Sequence, residues 1–290
     1  MKPKVTIGIC AKNAQNMLGS AIESVVRQDF PHQLMEIIFV DDGSEDGTLK
    51  LMQDYVSRID IASRIYSGEW RGLGKARNTV INNALGDYVV WVDADEILER
   101  DFVRVQFDLM EKNPRAGIAT AKPWILPKEN LVLTLELIPP VVEYSTIDWM
   151  KSSKLPGTGG ATYRVTAAKQ VGAFDETIRG AGEDIDIAYR IKQAGWSIIR
   201  GNAKFYEAHG YVATWKVLWK RYFNLGLQNR QAGRKNQELV SIYRINPFAS
   251  FVAGLNYAIL GYRITKLKLA IIVPLHYTFK MTAWFYGFIK

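Results

Sequence analysis

The chain has 290 residues, 37 of them Lys or Arg and 29 Asp or Glu, for a formal net charge of +8. A composition that is 48% hydrophobic and 23% charged excludes a disordered chain and allows one large domain or two small ones. The single cysteine, Cys10, excludes an intramolecular disulfide framework and a Cys-rich zinc site.

Val5-Thr6-Ile7-Gly8-Ile9-Cys10 is a β-branched apolar run ending in Lys12-Asn13, and it predicts a buried strand feeding a loop. The run is barely long enough for a signal peptide, and Lys12 and Asn13 stand where a small-residue cleavage site would lie. There is no Asn-x-Ser/Thr sequon, and a reducing cytosolic setting is expected. Residues 17–28 place Met17, Leu18, Ala21, Ile22, Val25 and Val26 at helical spacing, closed by Pro31. A second strand, Ile37 to Val40, runs into the turn Asp41-Asp42-Gly43-Ser44. A helix over 47–58 and a weaker strand around Ile61 to Tyr66 follow. Gly72-Leu73-Gly74 opens a helix that Gly86 stops. Tyr88 to Val92 is the clearest strand, and it ends in Asp93-Ala94-Asp95-Glu96. Beyond it, short strands are predicted at 117–121 and 160–165, and helices at 184–194 and 211–227. Phe205 to Ala208 is read as a strand end.

Alternating strands and helices, with continuously apolar strands, predict an α/β fold with a mostly parallel sheet covered on both faces. Ligands bind such sheets beyond the carboxyl ends of the strands. Lys12-Asn13, Asp41-Asp42 and Asp93-Ala94-Asp95 all lie at strand ends and point at one crevice. Carboxylates at i and i+2 face one side of a strand, so Asp93 and Asp95 suit a hard cation, Mn²⁺ or Mg²⁺, whose shell phosphate oxygens complete. An isolated Asp-x-Asp reads equally as a solvated turn. Lys75 and Arg77, at a helix start, suit a diphosphate. Asp41-Asp42 suits a base edge or ribose hydroxyls, or forms an Asx-turn. Glu183-Asp184 follows the flexible Gly180-Ala181-Gly182. These acids either face a ligand or complement the helix dipole. His209 taken alone is an ordinary histidine.

In combination these stretches resemble the inverting nucleotide-sugar glycosyltransferases of family 2, with the Rossmann-like GT-A fold. The matching runs are Ile9–Asn13, Ile38-Phe39-Val40-Asp41-Asp42-Gly43-Ser44-Glu45-Asp46-Gly47-Thr48, Gly74-Lys75-Ala76-Arg77-Asn78, Asp93-Ala94-Asp95, and Gly182-Glu183-Asp184 through Arg190. The resemblance covers roughly residues 1–210. It implies that Ala11, Asn13, Asp41, Asp42, Lys75, Arg77, Asp93 and Ala94 bind the nucleotide-sugar donor. It also implies that Asp93, Asp95 and His209 bind the metal, that Asp184 is the catalytic base, and that Glu183 supports it or binds acceptor. The implied partners are a nucleoside-diphosphate sugar, UDP-linked or else GDP-linked, and a glycan or lipid-linked acceptor. No Gln-x-x-Arg-Trp run of processive synthases is present, so one sugar is transferred per binding event. Glu96-Ile97-Leu98 after the Asp-Ala-Asp departs from polyprenyl-phosphate mannose synthases. A polyprenyl-phosphate glycosyltransferase, or a nucleotidyltransferase of similar fold, is the alternative. Residues 123–160 match nothing specific and are assigned to the acceptor side.

Residues 1–203 carry 24 basic and 27 acidic side chains, whereas 204–290 carry 13 and 2. Trp215, Leu218, Trp219, Tyr222 and Phe223 form an apolar stripe beside Lys216, Lys220 and Arg221. This stripe suits either a membrane interface or packing within the protein. Ile245 to Tyr262 is free of charge but slightly short of a span. The expected organisation is a catalytic domain over 1–205, divided into a nucleotide-binding half, 1–100, and an acceptor half, 101–205. A basic, aromatic-rich helical segment over 206–290 is expected to hold the chain at the cytoplasmic face of the cell membrane, peripherally, monotopically or as a C-terminal anchor. The apolar company of the basic residues argues for a membrane surface and no nucleic acid.

Overall fold

The computed structural model describes residues 2–124, 130–146, 155–178, 182–207, 214–235 and 246–290, with the backbone alone for 228–235. The chain divides into two compact units.

The first unit comprises Met1–Trp124, Asp148–Arg179 and Glu183–Ala208. It holds β1 (Val5–Ala11), α1 (Leu18–Val26), β2 (Met35–Asp42), α2 (Thr48–Val56), β3 (Ala62–Gly68), α3 (Leu73–Asn83) and β4 (Tyr88–Trp91). These are followed by β5 (Glu96–Leu98), α4 (Phe102–Lys112) and β6 (Ala116–Trp124). In the second unit α5 (Leu131–Thr146) comes next in the chain. The first unit then resumes with β7 (Thr162–Arg164), α6 (Val165–Gln170), α7 (Glu183–Gln193) and β8 (Ser197–Glu207). The eight strands form one sheet in the order β3-β2-β1-β4-β7-β6-β8-β5. β7 and β5 run against the other six. Strand alternation divides the core between the two faces. Ile7, Ile9, Ile37, Phe39 and Val90 pack under α1 and α2. Ile38, Val40, Val89, Trp91 and Tyr163 pack under α3, α6 and α7. The parallel α/β architecture is as the sequence predicts.

Two local expectations are corrected. β4 ends at Trp91, and Asp93 and Asp95 sit in a turn closed by the Glu96 N–H donating to the Asp93 carbonyl at 2.9 Å. Strand alternation therefore does not bring the two carboxylates together; the turn does. The strand expected over 160–165 is confined to Thr162–Arg164, because Val165 opens α6.

The second unit comprises Ile125–Ile147, Gly180–Gly182 and His209–Lys290. It holds α5, α8 (Trp215–Lys235), α9 (Pro247–Thr265), a 3₁₀ turn (Lys268–Ile272) and α10 (Val273–Ile289). α5 was not predicted. It carries Pro139 and Pro140 inside the helix and is buried nearly all round, so it shows no amphipathic period. α8 and α10 cross closely. A Cβ at Gly226 would meet the Trp284 carbonyl, and one at Gly287 the Phe223 carbonyl. Trp215 and Trp219, of the predicted stripe, pack on Phe279 at ring-centroid distances of 5.3 and 5.2 Å. Among the described residues no helix is long and apolar enough to cross a membrane.

Candidate active site

β1 and β2 pair in parallel up to Ala11 opposite Asp41, and their following loops are fastened together. The Asn13 N–H donates to Ser44 Oγ at 3.0 Å, and Asn13 Oδ1 accepts from the Glu45 N–H at 2.8 Å. Asn13 has φ 51, a left-handed conformation that asparagine tolerates better than most residues. Ala11 is buried beside it. Asp41 Oδ2 accepts from the Ser44 N–H at 3.2 Å. Asp41 Oδ1 is buried with no hydrogen-bond partner among the described residues, a costly state unless a ligand donates to it. Asp42 Oδ1 accepts from the Arg71 N–H at 3.0 Å, and Lys12 Nζ stands 4.8 Å from the centre of the Trp70 ring.

Gly72, at φ 95, precedes α3, a backbone shape that glycine adopts without a Cβ penalty. Lys75, predicted to meet diphosphate, pairs with Glu176 at 3.2 Å. Arg77, 3% exposed, points into the protein. Its NH1 lies 2.5 Å from Glu183 Oε1 and its NH2 3.6 Å from Asp93 Oδ1. Burial works against its charge, but the carboxylates of Asp93, Glu183 and Asp184 outweigh burial and raise its pKa. One buried guanidinium thus ties the Asp-Ala-Asp turn to the start of α7.

Glu183 is 3% exposed, and burial raises its carboxyl pKa against the opposing charge of Arg77. Asp184 is half-buried. Its Oδ1 accepts from the Ile185 N–H at 2.8 Å. The backbone of residues 155–160 runs beside it, and a Cβ at Gly157 would stand 2.9 Å from Asp184 Oδ2. Of the two acids, Glu183 is engaged by Arg77, while Asp184 stays partly exposed.

The sequence reading missed Glu96. It is 2% exposed. Its Oε2 accepts from the Asp93 N–H at 3.1 Å and the Gly160 N–H at 3.3 Å, so it fastens the Asp-Ala-Asp turn to the glycine-rich loop before β7. Burial and the Asp93 charge push its carboxyl pKa well up. Glu207, in register with Glu96 at the end of β8, joins the same acidic group. The only sequence signal was an acid directly after the Asp-Ala-Asp.

Burial and crowding by Asp95, Asp184 and Glu207 raise the Asp93 pKa, with Arg77 opposing. A partly exposed pair of hard oxygen donors with further acids around it fits a divalent cation of the Mg²⁺ or Mn²⁺ kind. No cluster of three or more metal-ligand side chains is assembled among the described residues. Ala94 packs against the core beside the pair. His209 and the Gly180-Ala181 pair lie outside the described residues.

Residues 6–170, more than half of the chain, match the family Glycosyl transferase family 2. The chain belongs to that family. Its α/β sheet with flanking helices matches the GT-A fold. It is 33% identical over 104 residues to glycosyltransferase GlyA of Streptococcus pneumoniae, covering 36% of this chain and 14% of GlyA. The chain thus spans a small part of that relative's length. Among solved structures it resembles the mannosyltransferase PcManGT of Pyrobaculum calidifontis in complex with GDP-Man and Mn²⁺. That likeness has a TM-score of 0.67 and 19% identity, covering 98% of this chain and 86% of that one. It also resembles S. aureus TarS (residues 1–349) in complex with UDP-GlcNAc, with a TM-score of 0.54 and 16% identity, covering 99% and 90%.

Proposed function

We propose that this family 2 glycosyltransferase moves one sugar from a nucleoside-diphosphate sugar, UDP-linked in the first reading and GDP-linked in the second, to a glycan or lipid-linked acceptor. Configuration inverts at the anomeric carbon. The transfer is non-processive and works at the cytoplasmic face of the cell membrane. The observation that carries the reading is Arg77, whose buried guanidinium joins Asp93 on the donor side to Glu183 beside Asp184. This linkage supports a single crevice for donor and base. The nucleotide sugars held by PcManGT and TarS support the donor class.

The base and ribose lie against Ala11, Asn13 and Asp41, whose buried Oδ1 accepts a donor N–H or O–H. Asp42 shapes that pocket through Arg71. Asp93 and Asp95 would hold the divalent cation, which supplies charge neutralisation for the departing nucleoside diphosphate. Lys75 adds positive charge at the opening turn of α3. Asp184 accepts the proton of the acceptor hydroxyl. That oxygen then bonds to the anomeric carbon as the bond to the diphosphate breaks on the opposite side. A single displacement inverts configuration and needs no second nucleophile. Glu183, buried on Arg77, acts as a positioning residue and does not contact acceptor.

The experiment is a panel of nucleotide sugars assayed with Mn²⁺, Mg²⁺ or a chelator. One donor class should yield its nucleoside diphosphate, and the chelator should abolish turnover. Release of pyrophosphate in its place would support the nucleotidyltransferase alternative and refute the proposal.

A further inference from the structure

α9 presents an exposed apolar face that nothing else among the described residues covers. Asn246 caps this helix, its side chain accepting from the Phe248 and Ala249 N–H groups. One face is consumed by packing. A Cβ at Gly254 would stand 2.5 Å from Pro274 Cα, and one at Gly261 2.5 Å from Ile138 Cγ2. The opposite face carries Phe248, Val252, Leu255, Ile259 and Tyr262, all exposed. Their spacing of four and three residues draws one stripe along the helix. Phe248 is 77% exposed. The 3₁₀ turn and the start of α10 carry two further exposed apolar side chains, Ile271, 81% exposed, and Leu275, 66% exposed. Apolar area of this extent on a water-facing surface marks an interaction site.

The charges say which partner covers it. Lys266, at φ 59, ends α9. Arg263, Lys266 and Lys268 are exposed around the turn that follows. The sequence has no acidic residue after Glu238. A second copy docking through the same face would offer these cations no acidic partner, because residues 246–290 contain no Asp or Glu. An anionic lipid surface offers apolar depth and negative headgroups together.

We propose that the Phe248–Tyr262 stripe of α9 beds into the interface of an anionic bilayer, and that Arg263, Lys266 and Lys268 engage lipid phosphates. The proposal rests on the reading that the chain works at a membrane. It moves the contact from the aromatic stripe of α8, part of which packs on α10, to the unpartnered face of α9.

The test is co-sedimentation of the full chain with vesicles of phosphatidylcholine alone or mixed equally with phosphatidylglycerol. The wild type should bind the mixed vesicles and only weakly the neutral ones. The double variant Phe248→Ser, Ile259→Ser should bind about tenfold more weakly or worse, with circular dichroism and donor turnover unchanged, since both side chains face solvent. Lys266→Glu should weaken binding about fivefold or more, and added salt should act in the same direction. If the wild type binds but the double variant binds equally well, the α9 assignment is overturned and the membrane reading stands. If the wild type binds neither vesicle, both fall. A dimer in sedimentation velocity that the double variant dissociates, without vesicle binding, would assign the face to a second copy and overturn the proposal.

Discussion

The Arg77 guanidinium is buried between two carboxylates, those of Asp93 and Glu183. Its place in Gly74-Lys75-Ala76-Arg77-Asn78 marked it as a site residue, but not that it would be buried between Asp93 and Glu183. Asp93 lies in the turn after β4, and Glu183, at the start of α7, stands 106 positions further along the chain from Arg77, so only the fold brings the three together. Removing one member of a buried ion pair leaves an uncompensated charge, at a cost of about 3–5 kcal/mol. Arg77→Met should therefore lower the denaturant midpoint by a corresponding amount, and adding Glu183→Gln should recover part of the loss. An unchanged midpoint would mean that the pair contributes nothing. Glu96 went unread for the same reason, since its acceptors' partners, the Asp93 and Gly160 N–H groups, meet only after the sheet forms. Lys75, at the start of α3 and marked by the same run, pairs with Glu176, a partner the sequence did not point to.

At the scale of elements, β1, β2, β4, α1, α3 and α7 were legible because each has one face or two faces in a regular core, which writes a period into the sequence. α5 was not, because burial on nearly every side leaves no polar face and its two prolines read as a break. The aromatic stripe of α8 was seen, but a stripe does not name what it packs on. The crossing of α8 with α10 depends on glycines facing backbone carbonyls, a requirement no periodicity reveals. Gly287→Ala should force the Phe223 carbonyl away and destabilise the fold by about 1–3 kcal/mol. Thermal unfolding checks this, and a Tm equal to the wild type would show the crossing to be looser than described.

At the scale of the molecule, the +8 charge combines a slightly acidic stretch, residues 1–203, with a strongly basic one, residues 204–290, that supplies most of the helical unit. In the latter, Glu136 is buried with Lys280 at 3.0 Å, His276 Nε2 at 2.8 Å and the Tyr222 hydroxyl. Burial would raise the Glu136 pKa, but Lys280, then the His276 and Tyr222 contacts, hold it well below the usual carboxylate range. Burial also lowers the His276 pKa. Both folded values lie below their unfolded ones, so both groups contribute stability that is present above the unfolded pKa and lost as pH falls. Stability should decline from about pH 6.5 as His276 comes under proton demand, and again below about pH 4 as Glu136 does. Glu136→Gln should flatten the lower step in urea titrations across pH, and a variant that keeps that step would refute the assignment. The central claim is that Asp184 works as a base in the same crevice that holds the donor. It is tested most directly by comparing wild type and Asp184→Asn for nucleoside diphosphate released and for donor affinity. The expected result is turnover lower by about 10²–10⁴-fold with donor binding nearly unchanged; turnover close to the wild type would contradict it.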